Sequence, residues 1–439
     1  MFEIILKHAP KYLTASVIAS GTTLLMTKYY TAVFNPAQFG ILALYLVMLK
    51  YITTLVSLNM DSSATRFYFD YRETKRDEYL STIFWFITTL ASIVLILGLL
   101  FMDFISNWIA PDSQTIYIIT LLAGIGAVYV SFLIRVLYNE QKSSSVLKHT
   151  IFQTFINHFT SFMFISYFNL GILGRISGQG LGYFLNMFTL LKEFSSQNLF
   201  RLKMTFNRAM ASETFMLALP TIIASFQTVL FVYLDRIFIK HYIGDSAVGV
   251  YTLGYMLGQG LSMVYEAISQ AILPKVYSGM NNNYEKAKDE LEHFSYRYYI
   301  GLVIITVIIS ALSPWIVALF SNESYSEASS VMPFVMAGFM MGGFYKIPSL
   351  VLGYHKVVWF YPFLAFFSFG VNALLNWWLI PIYGIVGAGV ASFVGLFLYS
   401  IVIQIISFKY LSSRYRRFTS TGYLIVFSLI IIFFSLGRI

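Results

Sequence analysis

Apolar residues run through this chain in long blocks, each near the length that crosses a bilayer. A span needs about 20 mostly apolar residues. Twelve blocks reach that length, over 12–34, 39–59, 79–102, 113–137, 148–170, 173–193, 213–240, 247–273, 294–320, 328–354, 357–381 and 384–408. A thirteenth, YLIVFSLIIIFFSLGRI from Tyr423, is apolar on every side and barely long enough. The pattern predicts an all-α integral membrane protein of about 12 core transmembrane helices, with a peripheral 13th. The N-terminal stretch MFEIILKHAPKYL is too short and interrupted for a cleaved signal peptide, so the first block is expected to stay as a membrane helix.

Composition agrees with this reading. Charged residues make up 11% of the chain, hydrophobic residues 58%, and the mean hydropathy is +0.71; soluble domains carry about 25% charged residues. The chain has no cysteine, which excludes disulfides and thiolate metal sites. Charge placement then orients the layout. With the N-terminus in the cytoplasm, Lys7, Lys11 and the inner loops hold 22 of the 29 basic residues. Arg175, Arg236, Lys240 and Arg438 fall outside, and Lys28, Lys50 and Lys346 lie within spans. Such asymmetry is what positive-inside sorting produces. It accounts for the net charge of +9 without a nucleic-acid partner.

Two pairs of segments repeat. Val17-Ile-Ala-Ser20, leading to Phe39-Gly40-Ile-Leu-Ala-Leu44, matches Ile222-Ile-Ala-Ser225, leading to Val248-Gly249-Val-Tyr-Thr-Leu253. Gly171-Ile-Leu-Gly174 followed by Gly182-Tyr-Phe-Leu185 matches Gly384-Ile-Val-Gly387 followed by Gly395-Leu-Phe-Leu398. The order and near-constant offset predict a duplicated six-span unit. The expected organisation is an N-terminal six-helix lobe over 1–193, a cytoplasmic linker over 194–212 and a C-terminal six-helix lobe over 213–408. A basic loop and the extra hydrophobic helix follow over 409–439. An even number of spans per half makes the repeats parallel, an arrangement found in secondary transporters, with a substrate cavity expected between the lobes.

Polar residues at helical spacing mark faces that avoid lipid. Thr252, Tyr255, Gln259, Ser262 and Glu266 form one stripe; Lys50, Ser57 and Asp61 form another, and Ser368, Asn372 and Asn376 a third. Asp235 and Arg236 adjoin near the end of an apolar run, and Lys28, His158 and Lys346 complete the set. Plainer readings exist for several of these. Gly338 and Gly342 suit helix packing, and the Ser, Thr and Asn stripes suit interhelical hydrogen bonds. His158 suits a packing role, and Asp235–Arg236 could sit at the outer headgroup level with Arg236 and Lys240 snorkelling. Lys50 and Lys346 sit well inside their spans, where ionisable residues are functional candidates by default.

The signs of these charges suggest a ligand class. Lys28, Lys50, Arg236 and Lys346 outnumber Asp235 and Glu266, and a cation-lined site suits phosphates. The four cations are the candidate substrate-binding residues, with Asp235 and Glu266 as ion-coupling or cavity carboxylates. His158, Gln259, Ser262, Asn372 and Asn376 are candidate polar lining. The residues point to no catalytic group and no metal site.

The run LDRIFIKHYIGDSAVGVYTLGYMLGQG, with AISQAILPKVYS after it, and VNALLNWWLIPIYGIVGAGVAS over 371–392 resemble polysaccharide-unit flippases of the Wzx type. These belong to the MOP superfamily, which also holds the MATE exporters and the MurJ lipid II flippase. The resemblance covers the first 408 residues in span number and lobes. It implies a flippase that turns undecaprenyl-diphosphate-linked oligosaccharide repeat units, of O-antigen or related surface polysaccharide, across a bacterial inner membrane. Alternating access, driven by a proton or sodium gradient, would do this with no other cofactor. It would make Asp235 and Arg236 residues of the cavity mouth. The lipid bilayer is the surrounding partner, with a polysaccharide polymerase and a chain-length regulator as candidate ones. Competing readings are a lipid II or teichoic-acid precursor flippase, a MATE-like drug exporter and a membrane glycan polymerase. The exporter would want an acidic cavity, and the polymerase would want long charged outer loops, which this chain lacks.

Overall fold

In lipid every backbone polar group must be satisfied within the protein, so a spanning chain folds as helices or a closed barrel. Here it folds as helices. The structure, a computed structural model, describes residues 2–71, 75–111, 113–357 and 359–423, with side chains except at 2–17 and at several positions between 220 and 274. The thirteenth apolar block lies outside the described residues from 424 onward. The chain divides into two compact units. One comprises residues up to Phe34 with Ile41–Val229; the other comprises Asn35–Gly40 with the chain from Leu230.

The helices of the first unit are α1 (Phe2–Val33), α2 (Pro36–Ser57) from Ile41 onward, α3 (Met60–Tyr71), α4 (Arg76–Leu100), α5 (Met102–Ile109), α6 (Gln114–Asn139), α7 (Ser143–Ser166) and α8 (Gly171–Ser196). The start of α2, Pro36–Gly40, belongs to the second unit, and a further boundary falls within α9 (Arg208–Tyr242), between Val229 and Leu230. Beyond it come α10 (Asp245–Asn282), α11 (Tyr284–Ala311), α12 (Ser313–Phe320), α13 (Ala328–Tyr354) and α14 (Tyr361–Ser407). Among the described residues, six helical stretches are long and apolar enough to cross a membrane: Pro36–Tyr71, Arg76–Leu100, Gln114–Asn139, Tyr284–Ala311, Ala328–Tyr354 and Tyr361–Ser407. Large apolar side chains stay exposed on such helices, among them Leu100, Phe363 and Leu374. Lipid is the solvent that suits them.

The repeated glycine motif has a structural cause. Gly171 and Gly384 both adopt left-handed backbone, with φ of 53° and 61°. Glycine enters that region without steric cost. Each opens the second arm of a tight helical hairpin, α7 onto α8 and the first part of α14 onto its second. Lipid offers no hydrophobic drive for helix association, so close backbone approach has to supply it. A Cβ on Gly178 would lie 2.4 Å from the Ser161 backbone nitrogen, and one on Gly182 would collide with the Asn157 amide. In the other hairpin, a Cβ on Gly387 would lie 2.5 Å from the Leu379 carbonyl oxygen, and one on Gly395 would meet Phe231 and Asn372.

Two short helices depart from the expected layout. The single span expected over 294–320 is two helices, because Pro314 starts a new one at α12. Proline suits a first helical turn, where its missing N–H costs nothing. Its counterpart α5 follows α4 in the first unit. Trp108 and Trp315 lie exposed on α5 and α12, beside exposed Phe104 and Leu319. Residues 199–207 form a non-helical strap. It is pinned to α4: the Trp85 indole donates to the Lys203 carbonyl at 2.8 Å, and the Asn207 side chain donates to Glu78 at 3.1 Å.

Candidate functional site

The second unit gathers polar side chains at two places. At the first, Asp235 on α9 is fully buried. A carboxylate in such a place is costly unless hydrogen-bonded, and three donors meet it. The Asn376 amide donates to Oδ1 at 2.6 Å, the Ser392 hydroxyl to Oδ2 at 2.6 Å, and the Tyr251 hydroxyl also to Oδ2. Asn376 donates as well to the Asn372 side-chain oxygen at 3.1 Å. The two arms of α14 thus deliver Asn372 and Asn376 from one side and Ser392 from the other, which their hairpin turn makes possible. Asn376 Oδ1 and Ser368 Oγ are buried here with no hydrogen-bond partner among the described residues.

Arg236 is also buried, 3% exposed. Its Nε donates to Thr252 at 3.2 Å. The guanidinium lies 4.7 Å from the Tyr255 ring centroid, 5.3 Å from Tyr233 and 5.7 Å from Tyr251. An arginine head among aromatic rings is stabilised by their quadrupoles. The snorkelling reading of Arg236 therefore does not hold, since the side chain points into the unit. Lys240 makes an ion pair with Asp245 at 2.5 Å.

At the second place, Lys346 on α13 pairs with Glu266 on α10 at 2.6 Å. The ammonium lies 5.5 Å from the Tyr345 ring and 5.8 Å from that of Tyr265. Gly342 makes room for Tyr265: a Cβ there would lie 2.7 Å from the phenol oxygen. Gly338 abuts Phe393 and Leu396. Both glycines serve packing. The α10 stripe grades from buried Thr252 and Tyr255 through exposed Gln259 to half-buried Ser262 and Glu266.

The remaining candidates lie in the first unit. Lys28 and Lys50 are exposed on α1 and α2. His158 is buried, with its Nδ1 3.0 Å from the Tyr30 hydroxyl and its Nε2 3.5 Å from Thr23. Arg175, assigned by charge sorting to an outer loop, is buried instead, 5.0 Å from the Tyr30 ring and 3.3 Å from Ser161. Its position four residues into α8 was the available signal. Asp61 accepts from Ser131 at 2.9 Å. Tyr251 and Ser392 were missed as partners of Asp235.

A family of polysaccharide biosynthesis proteins matches residues 5–280. The chain belongs to that family. The resemblance carried by Leu234–Gly260 falls within the matched residues and is borne out; Val371–Ser392 lies beyond them. Lsg locus putative protein 1 of Haemophilus influenzae is 22% identical to this family member over 286 residues, which is 63% of this chain and 67% of that one. Solved structures share its fold. The lipid II flippase MurJ, in an inward closed conformation, superposes with a TM-score of 0.75 at 15% identity, covering 97% of this chain and 93% of that one. An inward-facing multidrug resistance MATE family transporter of the MOP superfamily gives 0.75 at 12% identity, over 93% and 96%. A MOP superfamily transporter from Pyrococcus furiosus gives 0.66 at 11%, over 95% and 96%. The family member is an all-α, multi-pass membrane protein with the fold of the MOP transporters.

Proposed function

We propose that this polysaccharide biosynthesis protein flips undecaprenyl-diphosphate-linked oligosaccharide repeat units, of O-antigen or a related surface polysaccharide, from the inner to the outer leaflet of a bacterial inner membrane. Its N-terminus lies in the cytoplasm, and a proton or sodium gradient drives the cycle. The observation that carries this reading is the family match over residues 5–280 on a fold shared with a lipid II flippase. The flipped units pass to a polysaccharide polymerase and its chain-length regulator.

The charged residues divide by role. Lys28, Lys50 and Lys346 serve the diphosphate: the first two are exposed ammonium groups, and the third is held by Glu266 until an anion competes. Arg236, locked among tyrosine rings, tunes the Asp235 group from within. Asp235 is the coupling carboxylate. The unpartnered Asn376 Oδ1 beside it completes an oxygen-rich environment for a proton or a hard cation. Gln259 and Ser262, on the accessible part of the α10 stripe, contact sugar hydroxyls.

Deleting the gene in its native bacterium tests the reading. Single lipid-linked repeat units should accumulate in the inner leaflet, protected from an impermeant lectin added outside, while surface polymer is lost. Accumulated units open to the lectin would assign the defect to polymerisation. Unchanged lipid-linked pools with new drug sensitivity would move the protein to the exporters.

Lys346→Gln gives a sharper check. The Lys346–Glu266 pair is partly exposed, at 20% and 44% of its side chains, so its loss should cost no more than about 1 kcal/mol of stability. A hydrogen bond to a charged group contributes about 1.5–3 kcal/mol. Transport by the variant should therefore fall about tenfold or more, as scored by flipping in proteoliposomes. Wild-type flipping would remove Lys346 from the substrate site.

A further inference from the structure

Away from these groups, the first unit contains a groove of about 500 Å³ walled by α4, α6 and α8 and closed at one end by the strap after α8. Phe84, Tyr129, Phe184, Phe194 and Phe200 supply aromatic walls, and Arg201 lies at the strap end. The Tyr129 hydroxyl donates to Thr88 at 2.9 Å. Phe184 and Leu191 are exposed along the groove. An apolar channel of this size with a single cation at its end has the profile of an amphiphile site.

The cation is held in place. Arg201 is exposed, and one Nη donates to the Asn198 side chain at 3.1 Å. Asn198 adopts left-handed backbone with φ of 48°, and its carbonyl accepts from Arg76 at 3.1 Å. The next turns of the strap are fixed to α4 by the Lys203 amide, which donates to Ser81 at 2.9 Å, and by Trp85. A guanidinium presents five donors, so Arg201 keeps others for a ligand. Lys203 adds positive charge on the same strap, and Arg208 opens α9 directly after it.

We infer that this groove binds an anionic glycerophospholipid of the bilayer, one acyl chain among the aromatic rings and the phosphate on Arg201. Charge complementarity favours this occupant: basic residues beside a membrane attract anionic headgroups, and arginine is suited to phosphate. The proposal does not depend on the flippase reading. It concerns a separate set of residues and requires only that the protein sit in a bilayer.

The test uses the full chain in nanodiscs with a photoactivatable phosphatidylglycerol, with crosslinks mapped by peptide mass. Crosslinks are expected on peptides carrying Phe184 or Phe200. One cation beside a phosphate predicts that Arg201→Gln lowers labelling about fivefold. Ile125→Trp, which fills the groove from α6, should abolish it. Arg201 is exposed, so its replacement should leave the melting temperature unchanged. Thermal unfolding of Ile125→Trp shows whether loss of label is loss of fold. Excess phosphatidylglycerol should compete, and excess phosphatidylethanolamine should not. Equal labelling of Arg201→Gln, or crosslinks elsewhere, would overturn the proposal. Displacement by undecaprenyl phosphate at far lower concentration would overturn it in favour of the carrier lipid. Failure of any of these leaves flipping by the same preparation as an independent readout of the proposed function.

Discussion

Asp235→Ala is expected to lose folded protein and transport together, whereas Asp235→Asn should leave a folded protein that no longer transports. The carboxylate accepts from Asn376, Ser392 and Tyr251 in a fully buried setting. Alanine would orphan all three donors, and each unsatisfied buried group costs about 1–3 kcal/mol. Protein stabilities run to about 5–15 kcal/mol in total, so such a loss is severe. Asparagine keeps one oxygen acceptor in place, and the Ser392 and Tyr251 hydroxyls can rotate to accept from its amide nitrogen. What it removes is the negative charge and the ability to exchange a proton. Thermal unfolding in detergent separates the variants by fold. Flipping in proteoliposomes, with and without a proton or sodium gradient, separates them by coupling. Gradient-stimulated flipping by Asp235→Asn at the wild-type rate would reduce Asp235 to a structural residue.

Those two variants also mark how far the sequence could be read. Asp235, Asn372 and Asn376 stood out because a polar side chain at helical spacing in an apolar block needs a reason. That the three meet could not be read, because their meeting depends on the approach of α9 to the first arm of α14, and the hairpin turn at Gly384 is what adds Ser392. Tyr251 and Ser392 gave no signal: with 32 tyrosines, a single one is unremarkable in this chain. The spans were legible because the bilayer sets their length, but helix ends were not. Nothing in hydropathy stops a helix at the membrane surface, so α10 continues to Asn282 and α11 begins at Tyr284. The reverse error occurred over 294–320, where apolarity continued across the helix break that Pro314 imposes. Depth within a span singles out Lys50 and Lys346, and depth says nothing about which partners surround a side chain. The repeat motifs carried the deepest information, since they include Gly40, Gly249 and Gly387, which touch backbone, and Gly171 and Gly384, which adopt left-handed backbone.

Gly249→Val is expected to be among the most damaging single changes in the second unit. Gly40 and Gly249, the matching glycines of the first repeat pair, cross each other directly within that unit. A Cβ on Gly249 would lie 1.9 Å from the Pro36 carbonyl oxygen and 3.0 Å from the Gly40 nitrogen. One on Gly40 would lie 1.9 Å from the Asp245 carbonyl oxygen and 2.9 Å from the Gly249 nitrogen. Those neighbours are backbone, which cannot rotate aside as a side chain could. Overpacking a well-packed site typically costs about 1–3 kcal/mol and occasionally more. Backbone of the Pro36–Gly40 stretch would have to move off α10, so the upper part of that range applies. Gly301 and Gly260 provide the contrast, with nothing within 4 Å of a Cβ at either position. Both lie inside helices, where replacing glycine by alanine gains about 0.5–1 kcal/mol. Thermal unfolding of detergent-solubilised Gly249→Ala, Gly249→Val, Gly301→Ala and Gly260→Ala decides the matter. The two substitutions at Gly249 should unfold at progressively lower temperature, and those at Gly301 and Gly260 at or above the wild-type temperature. If Gly249→Ala unfolded with the controls, the close crossing of α2 and α10 would be refuted, and the repeated glycine would need another explanation.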